Sequence, residues 1–267
     1  MSKTKKIIII AVIAVLISAA LYFIILHPRI KTYSMITAIY DEFGGNYDIG
    51  EPIIEYDHSS VTDESLVMTD FGTFSLGVPS DWENQSKEDS EFTIYRTIGT
   101  VAESDGDDGE GMVFNPAGTD NSYIVILNNE EPDLSAGELK HLKKGFERLG
   151  YGMPDSAYAT LKCAYLLTPE DYNFLKYDES LAYAHILAYR AGSLYYSNGS
   201  TDQTYYYETN DKYVLICEKY RPDYDGKYHF MMEFYDPDDL NTGSTFSMTV
   251  DDKETAYAII NSLTFNE

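Results

Sequence analysis

The sequence predicts an α+β protein in which a single N-terminal transmembrane helix is followed by an antiparallel β-sheet flanked by helices. Three observations support this fold class. Residues 7–26 form an uncharged apolar run of twenty residues. Residues 135–149 carry the periodicity of an amphipathic helix. The C-terminal third contains several short runs in which apolar and polar residues alternate, which is typical of half-buried strands.

The uncharged run is long enough to cross a membrane. A helix of this length spans about 30 Å, which matches the hydrocarbon core of a bilayer. Three lysines precede the run within residues 1–6, whereas Arg29 and Lys31 follow it. This excess of positive charge predicts a cytoplasmic N-terminus and an extracytoplasmic remainder. We therefore expect a single-pass protein of the cell membrane, held by a signal anchor.

A cleaved signal peptide is the alternative interpretation of the same segment. Ser18, Ala19 and Ala20 fit the small residues of a cleavage site after a short apolar run. However, the apolar stretch continues from Leu21 to Leu26, so a cleaved product would begin with exposed hydrophobic residues. The anchor is the favoured interpretation.

Composition excludes nucleic acid as a partner. The chain has 44 Asp and Glu residues against 19 Lys and Arg residues, for a formal net charge of −25. Such a surface repels phosphate backbones. The aromatic content of 14% is too high for a disordered chain, so we expect a folded domain with one core. A solvated acidic surface without a specific ligand is the simplest interpretation of the charge.

The pattern divides the chain into four parts. The stretch after the apolar run keeps a helical pattern as far as Gly44 and then becomes polar, with one short extended piece, PIIEY, at 52–56. The predicted parts are a cytoplasmic tail at 1–6, a transmembrane helix at 7–26, a juxtamembrane helix and linker at 27–65, and an extracytoplasmic α+β domain at 66–267.

Strands dominate the first part of the predicted domain. Two short β runs flank Asp70-Phe71-Gly72, and Phe74, Leu76 and Val78 alternate as a half-buried strand requires. EFTIYRTI at 91–98 and SYIVILNN at 122–129 are further strand candidates.

The clearest soluble helix lies at 135–149. Ser135 and Glu138 form a capping box, and Gly150 is placed to end the helix. Its outer face is basic on an otherwise acidic domain, which suggests a docking face for an acidic partner or a polyanionic cell-wall polymer. An ordinary solvated face is the alternative. The basic residues are Lys140, Lys143, Lys144 and Arg148.

Helices and then strands follow. Residues 154–191 have helical patterns that contain His185, a lone histidine better explained by packing than by ligand binding. A tyrosine-rich hairpin around 195–207, three strands and an amphipathic helix beginning at Asp251-Asp252 complete the pattern. The final LTF is expected to add an edge strand.

Two stretches resemble the two ends of PsbP-like domains. GTFSLGVPSDWE is similar to their opening, in which a strand runs into a Pro-x-x-Trp turn. TAYAIINSLTF is similar to their close, in which a helix runs into a Ser-containing final strand. The resemblance covers the ends of residues 70–267, and the helical stretch 154–191 departs from it. It implies an antiparallel sheet between helices and a non-enzymatic extracytoplasmic subunit attached to a membrane complex, and it transfers no functional residue.

An acidic, glycine-rich loop is the weak candidate for a metal site. Calcium takes six to eight oxygen ligands from groups of this kind. The spacing does not match an EF-hand loop, because Gly109 and Gly111 fall where ligands are needed, so a loop without metal is the favoured interpretation and no cofactor is expected. The candidate ligands are Asp105, Asp107, Asp108 and Glu110.

The two cysteines, Cys163 and Cys217, leave two alternatives open. Outside the cytoplasm they can form a disulfide that closes a long loop. They can equally remain two buried thiols. Neither has the sequence context of a catalytic nucleophile.

No motif indicates catalysis, since neither G-x-S-x-G nor H-E-x-x-H occurs and the histidines lack the spacing of a zinc site. We therefore predict a non-enzymatic binding module for a protein or a cell-envelope component. The alternatives are a glycan- or peptide-binding domain or hydrolase with a tyrosine-lined cleft, and a calcium-stabilised exported domain.

Overall fold

The structure is a computed structural model, and it describes residues 3–42, 52–58, 65–87, 90–97, 110–121, 134–168, 171–196, 202–222 and 226–266. The chain separates into two compact units. The first, here called the helical unit, comprises Met1–Tyr47, Pro132–Met153 and Leu167–Ser193. The second, the sheet unit, comprises Asp48–Glu131, Pro154–Leu166 and Leu194–Glu267. An apolar N-terminal helix, a largely antiparallel sheet and further helices are present, so the predicted α+β class is confirmed.

Six α-helices lie in the described residues. Their bounds are α1 Lys3–Leu21, α2 His27–Glu42, α3 Ala136–Leu149, α4 Ala157–Leu166, α5 Tyr177–Tyr196 and α6 Lys253–Asn261. A π-helical segment, Tyr22–Leu26, joins α1 to α2. The backbone at both of its ends, Leu21 and His27, keeps the right-handed helical conformation, so α1, the π segment and α2 form one continuous helix.

Residues 7–26 of this continuous helix are uncharged and apolar on every side. The large side chains described there are exposed, among them Leu16 and Phe23. The helix is long and apolar enough to cross a membrane, and a signal sequence near an N-terminus has the same properties.

The described strands form two sheets. The strands are β1 Ile54–Glu55, β2 Leu66–Asp70, β3 Phe74–Pro79, β4 Trp82–Asn84, β5 Thr93–Thr97, β6 Gly111–Asp120, β7 Gln203–Glu208, β8 Tyr213–Arg221, β9 Lys227–Asp236, β10 Asp239–Val250 and β11 Thr264–Phe265. The large sheet has the order β1-β7-β8-β9-β10-β6-β5-β4 and is antiparallel except where β1 pairs with β7. The small sheet has the order β11-β3-β2.

The core of the sheet unit lies between the large sheet on one side and the small sheet with α6 on the other. Phe230, Met232 and Phe234 of β9 alternate into it, as period-two burial requires. Phe74 of the small sheet stacks on Phe234 with ring centroids 4.7 Å apart. Leu76 and Val78 are also buried, which confirms the alternation predicted for this strand.

Helix α4 covers part of the opposite face of the large sheet. Tyr158 packs against Tyr213 and Tyr235, with ring centroids 5.2 and 5.5 Å apart. Asn241, near the start of β10, accepts a hydrogen bond of 3.0 Å from the backbone N–H of Ala157 in the first turn of α4. Side chains of both sheet faces are therefore buried within this unit.

Strand β6 is not among the strands that the sequence predicts. Pro116 and Gly118 lie inside it, and both residues disfavour strands. The strand forms nevertheless, because it pairs with β10 on one side and β5 on the other. Its register with β10 shifts between Gly243 and Thr245, which accommodates this segment as a bulge. The strand predicted at 122–129 lies outside the described residues.

The two stretches that carry the PsbP-like resemblance meet in space. Phe265 and Thr264 of β11 pair with Phe74 and Ser75 of β3. The backbone N–H of Gly77 donates a hydrogen bond of 2.6 Å to Ser262 Oγ at the end of α6. The approach is close, because a Cβ on residue 77 would lie 2.8 Å from that oxygen.

We expect Gly77→Ala to lower the free energy of unfolding by about 1–3 kcal/mol, the usual cost of forcing extra volume into a packed site. A Cβ at this position would also lie 2.9 Å from Leu66 Cβ, so relief requires the strands to move. Denaturant titration of the full-length protein measures the loss. Gly137→Ala is the matched control, because the nearest atom to its new methyl group would be 3.8 Å away. Equal stabilities of the two variants would contradict this account of the α6–β3 contact.

Candidate functional site

The candidate site is built on α3, whose ends are fixed by local sequence. Ser135 Oγ accepts a hydrogen bond of 3.3 Å from the backbone N–H of Glu138, and Glu138 Oε2 accepts one of 3.1 Å from the N–H of Ser135. The Ser135 hydroxyl also donates to Glu138 Oε2 at 2.8 Å. This bond and the one from the Ser135 N–H, supported by Lys31, lower the pKa of the Glu138 carboxyl against the opposing effect of burial. Gly150 ends the helix with a φ of 87°, in the left-handed region that favours glycine. The predicted helix and capping box are confirmed.

Packing against α5 decides which side of α3 faces solvent. Leu142 and Phe146 are fully buried in the helical unit. Between them on the same side, Gly145 lies against the first turn of α5, where a Cβ would be 2.1 Å from the carbonyl oxygen of Asp178. Because only glycine permits this approach, the rotation of α3 about its own axis is fixed.

The structure separates the four basic residues of the predicted docking face into two kinds. Arg148 Nη1 lies 2.6 Å from Asp178 Oδ2 and 3.8 Å from Glu179 Oε2, so its charge is already paired. Three lysines are exposed, and no ion pair joins them to another residue of the described ranges. These are Lys140, Lys143 and Lys144.

Asp178 is the centre of a charged network on the helical unit. It is 8% exposed, and its second carboxylate oxygen lies 2.6 Å from His141 Nδ1. Glu179, equally buried, lies 3.9 Å from Lys176 Nζ. Neither acid stands out in the sequence, because Asp and Glu in the first turn of a helix are ordinarily explained by the helix dipole.

A groove of 510 Å³ runs along this network. One wall comes from the end of the apolar helix, and the other from α3 and the segment that leads into α5. Its charge is mixed, with cationic side chains at the rim and the two buried acids beneath. The lining residues are Ile24, Pro28, Arg29, His141, Arg148, Leu175, Lys176, Tyr177, Asp178 and Glu179.

Helix α2 is part of this unit through polar contacts with α3 and α5. Lys31 Nζ lies 3.3 Å from Glu138 Oε1, and the hydroxyls of Tyr40 and Tyr183 are hydrogen-bonded at 2.9 Å. Burial, together with the Tyr40 contact, raises the pKa of Tyr183. The residues that continue the apolar helix are therefore packed into the helical unit.

A comparison with protein-family models and with curated protein sequences finds no match for this chain.

The predicted calcium site is only partly within the described residues. Asp105, Asp107 and Asp108 lie outside them. Glu110 lies inside, and its Oε1 accepts a hydrogen bond of 2.8 Å from the backbone N–H of Asp251. Within the described ranges, no group of three or more His, Cys, Asp or Glu side chains is arranged to hold a metal ion.

Of the two alternatives for the cysteines, the structure contains the buried thiols. Cys163 and Cys217 are both free and buried. Burial raises the pKa of Cys163 to about 11, with Lys162 opposing the shift. Cys217 Sγ donates to the hydroxyl of Tyr165 at 3.6 Å. Buried thiols of this kind react slowly, since the thiolate is the nucleophile.

The tyrosine-rich strand β7 packs within the sheet unit. The hydroxyl of Tyr205 lies 2.7 Å from that of Tyr257, and both donate to Glu218, which is 3% exposed. Lys253 Nζ lies 2.5 Å from the same carboxylate. The ring of Tyr206 lies beneath Lys162, with the ammonium 3.8 Å from the centroid. These side chains already have partners, so the lysine face of α3 is the better docking candidate.

We expect Arg148→Met to destabilise the helical unit by about 1–3 kcal/mol, because it removes a partner from two buried carboxylates while keeping the apolar stem. Denaturant titration of the full-length protein in detergent provides the measurement. Lys144→Met is the control on the same helix face, since that lysine has no ion pair with a described residue. A loss of stability equal to the control would show that Arg148 contributes no more than an exposed cation.

We expect acid to destabilise the protein partly through His185 of α5. Burial lowers the pKa of this histidine below its ordinary value of about 6.5. As pH falls through that value, the unfolded chain binds protons that the folded chain does not, so the free energy of unfolding decreases. Denaturant midpoints at about pH 7 and about pH 5 bracket the effect. The drop should be smaller in His185→Gln, and an unchanged drop would exclude this histidine as a cause.

Proposed function

We propose that this protein is a single-pass membrane protein whose extracytoplasmic part is a non-enzymatic binding module. In this proposal residues 7–26 span the bilayer, and the lysine face of α3 docks an acidic protein or a polyanionic component of the cell envelope. The apolar, exposed side chains of α1 and the π segment support the anchor. The lysines that precede the span support a cytoplasmic N-terminus, by the positive-inside rule.

The observation that carries the docking proposal is the contrast between Arg148 and its neighbours. Arg148 is held by two buried acids, whereas Lys140, Lys143 and Lys144 extend into solvent from one helix face. Three flexible ammonium groups on a chain with a net charge of −25 form a local positive field that attracts anions, whereas the acidic remainder of the surface repels them.

The lysine spacing suits a partner that binds along the surface of the helix and does not enter a pocket. Residues three and four apart on a helix lie about 5–6 Å from one another, so the three charges form a compact cluster without a deep pocket. Charge complementarity of this kind raises association rates and selects partners by sign. The PsbP-like resemblance implies the same class of role, attachment to a membrane complex.

The test is to crosslink the tagged full-length protein in its native membrane and identify what co-purifies. We expect one dominant acidic component, and we expect Lys140→Glu, Lys143→Glu and Lys144→Glu together to reduce its recovery about tenfold or more, because charge reversal at each contact replaces attraction with repulsion. The matched control replaces the same lysines with arginine, which keeps the charge. Raising the salt concentration should weaken the complex of the unmodified protein.

Two results would overturn the docking proposal. The first is recovery of the same component by the charge-reversed and the arginine variants in equal amounts. The second is a preparation from which no component co-purifies at low salt. Thermal unfolding of both variants, which should match the unmodified protein, excludes misfolding as the cause of a loss.

A further inference from the structure

The segment that leads into α5 lies against the end of the apolar helix. Arg29 Nη2 donates a hydrogen bond of 3.4 Å to the carbonyl oxygen of Leu175, and Nη1 of the same side chain donates to the carbonyl of Ile25. One arginine thus joins the last apolar turn to the loop at 171–176, here called the interfacial loop. The interfacial loop therefore lies at the same position along the helix axis as the last apolar turn. If that turn is at the membrane surface, the loop is at the membrane surface too.

The interfacial loop exposes a large apolar side chain at this level. Leu175 is 77% exposed, which is the largest exposed fraction among the large hydrophobic side chains of the described residues. The side chain of its neighbour Lys176 is 62% exposed, with the ammonium 3.9 Å from Glu179 Oε1. An exposed leucine beside a lysine is unfavourable in water and favourable at a bilayer surface, where the leucine enters the acyl boundary and the ammonium remains with the phosphates.

The interfacial loop has a defined conformation. Asn173 Oδ1 accepts a hydrogen bond of 3.0 Å from the N–H of Leu175, and the carbonyl of Asn173 accepts from the N–H of Lys176 at 2.9 Å. Exposure of Leu175 is therefore fixed by the turn.

Aromatic rings surround the same contact. Phe174 packs edge-on against Tyr33 of α2 with centroids 6.4 Å apart, and the guanidinium of Arg29 lies 5.8 Å from the ring centre of Tyr177. Aromatic and basic side chains together are the usual residues of a membrane–water interface.

We propose that the interfacial loop is a second membrane contact, in which Leu175 inserts into the headgroup region while Lys176 and Arg29 contact lipid phosphates. The occupant of this surface is the bilayer that the apolar helix crosses, so the inference rests on the proposed membrane span. The contact holds the helical unit at the membrane surface, in addition to the covalent continuity of the helix.

The test places an environment-sensitive fluorophore on the interfacial loop. Leu175→Cys, labelled with a nitrobenzoxadiazole thiol reagent, is reconstituted as full-length protein into vesicles of equal parts phosphatidylcholine and phosphatidylglycerol. Asp41→Cys is the control, because it is exposed on the same helix about 18 Å further along the axis from Arg29. Unmodified protein taken through the same labelling measures any reaction of the two buried cysteines.

We expect label 175 to show blue-shifted emission and quenching by lipids that carry a nitroxide near the headgroup, and we expect label 41 to behave as in water. Water-like emission from label 175, or equal quenching at both sites, overturns the inference. Flotation of the vesicles is measured on the same samples. A protein that fails to float has no membrane span, and that result removes the proposed anchor together with this inference.

A second variant tests the leucine itself. With the label moved to Lys176→Cys, the additional change Leu175→Asp should return the emission to that in water, because a carboxylate is driven out of the acyl boundary. The side chain is exposed, so the fold tolerates the change. Emission that does not depend on Leu175→Asp would show that the leucine does not insert.

Discussion

The helical unit depends on the position of one residue, Asp178. Its carboxylate lies between Arg148 and His141, and its carbonyl oxygen faces Gly145 across the closest approach of α3 and α5. A buried carboxylate is stable only where cationic or N–H donors surround it, so this requirement fixes how α3 packs. Once α3 is fixed, Leu142 and Phe146 face inward and the lysines face solvent. The candidate docking surface is thus a consequence of how α3 neutralises the buried carboxylate of Asp178.

In the sheet unit, too, a small number of contacts joins distant parts of the chain. Strand β11, the last described strand, pairs with β3, and Ser262 joins the end of α6 to Gly77 of β3. The small sheet that results covers one side of the core. Residues separated by most of the length of the unit are therefore neighbours, and the short strands at both ends are needed to close it.

The sequence predicted those features whose causes are local. Helix α3 was predictable because its capping box, apolar stripe and terminal glycine all lie within one short stretch. Strand β6 was not, because Pro116 and Gly118 disfavour a strand locally and the strand is stabilised by its pairing with β10 and β5. The candidate site shows the same division. The four basic residues were visible in the sequence, but the pairing of Arg148 with an acid thirty residues away is a tertiary contact that no periodicity reports.

The π-helical segment changes how the continuous helix must be interpreted. A π turn closes its hydrogen bond one residue later than an α turn, so it takes in an extra residue, worth about 100° of rotation. A helical wheel drawn at constant pitch through Tyr22–Leu26 therefore places every residue after Leu26 at the wrong angle around the helix axis. The face of α1 that lies in line with Arg29 and Tyr33 of α2 is therefore not the face that a count of 3.6 residues per turn predicts. Adding or deleting one residue here would rotate the attached helices about the axis of the continuous helix, with little translation along that axis.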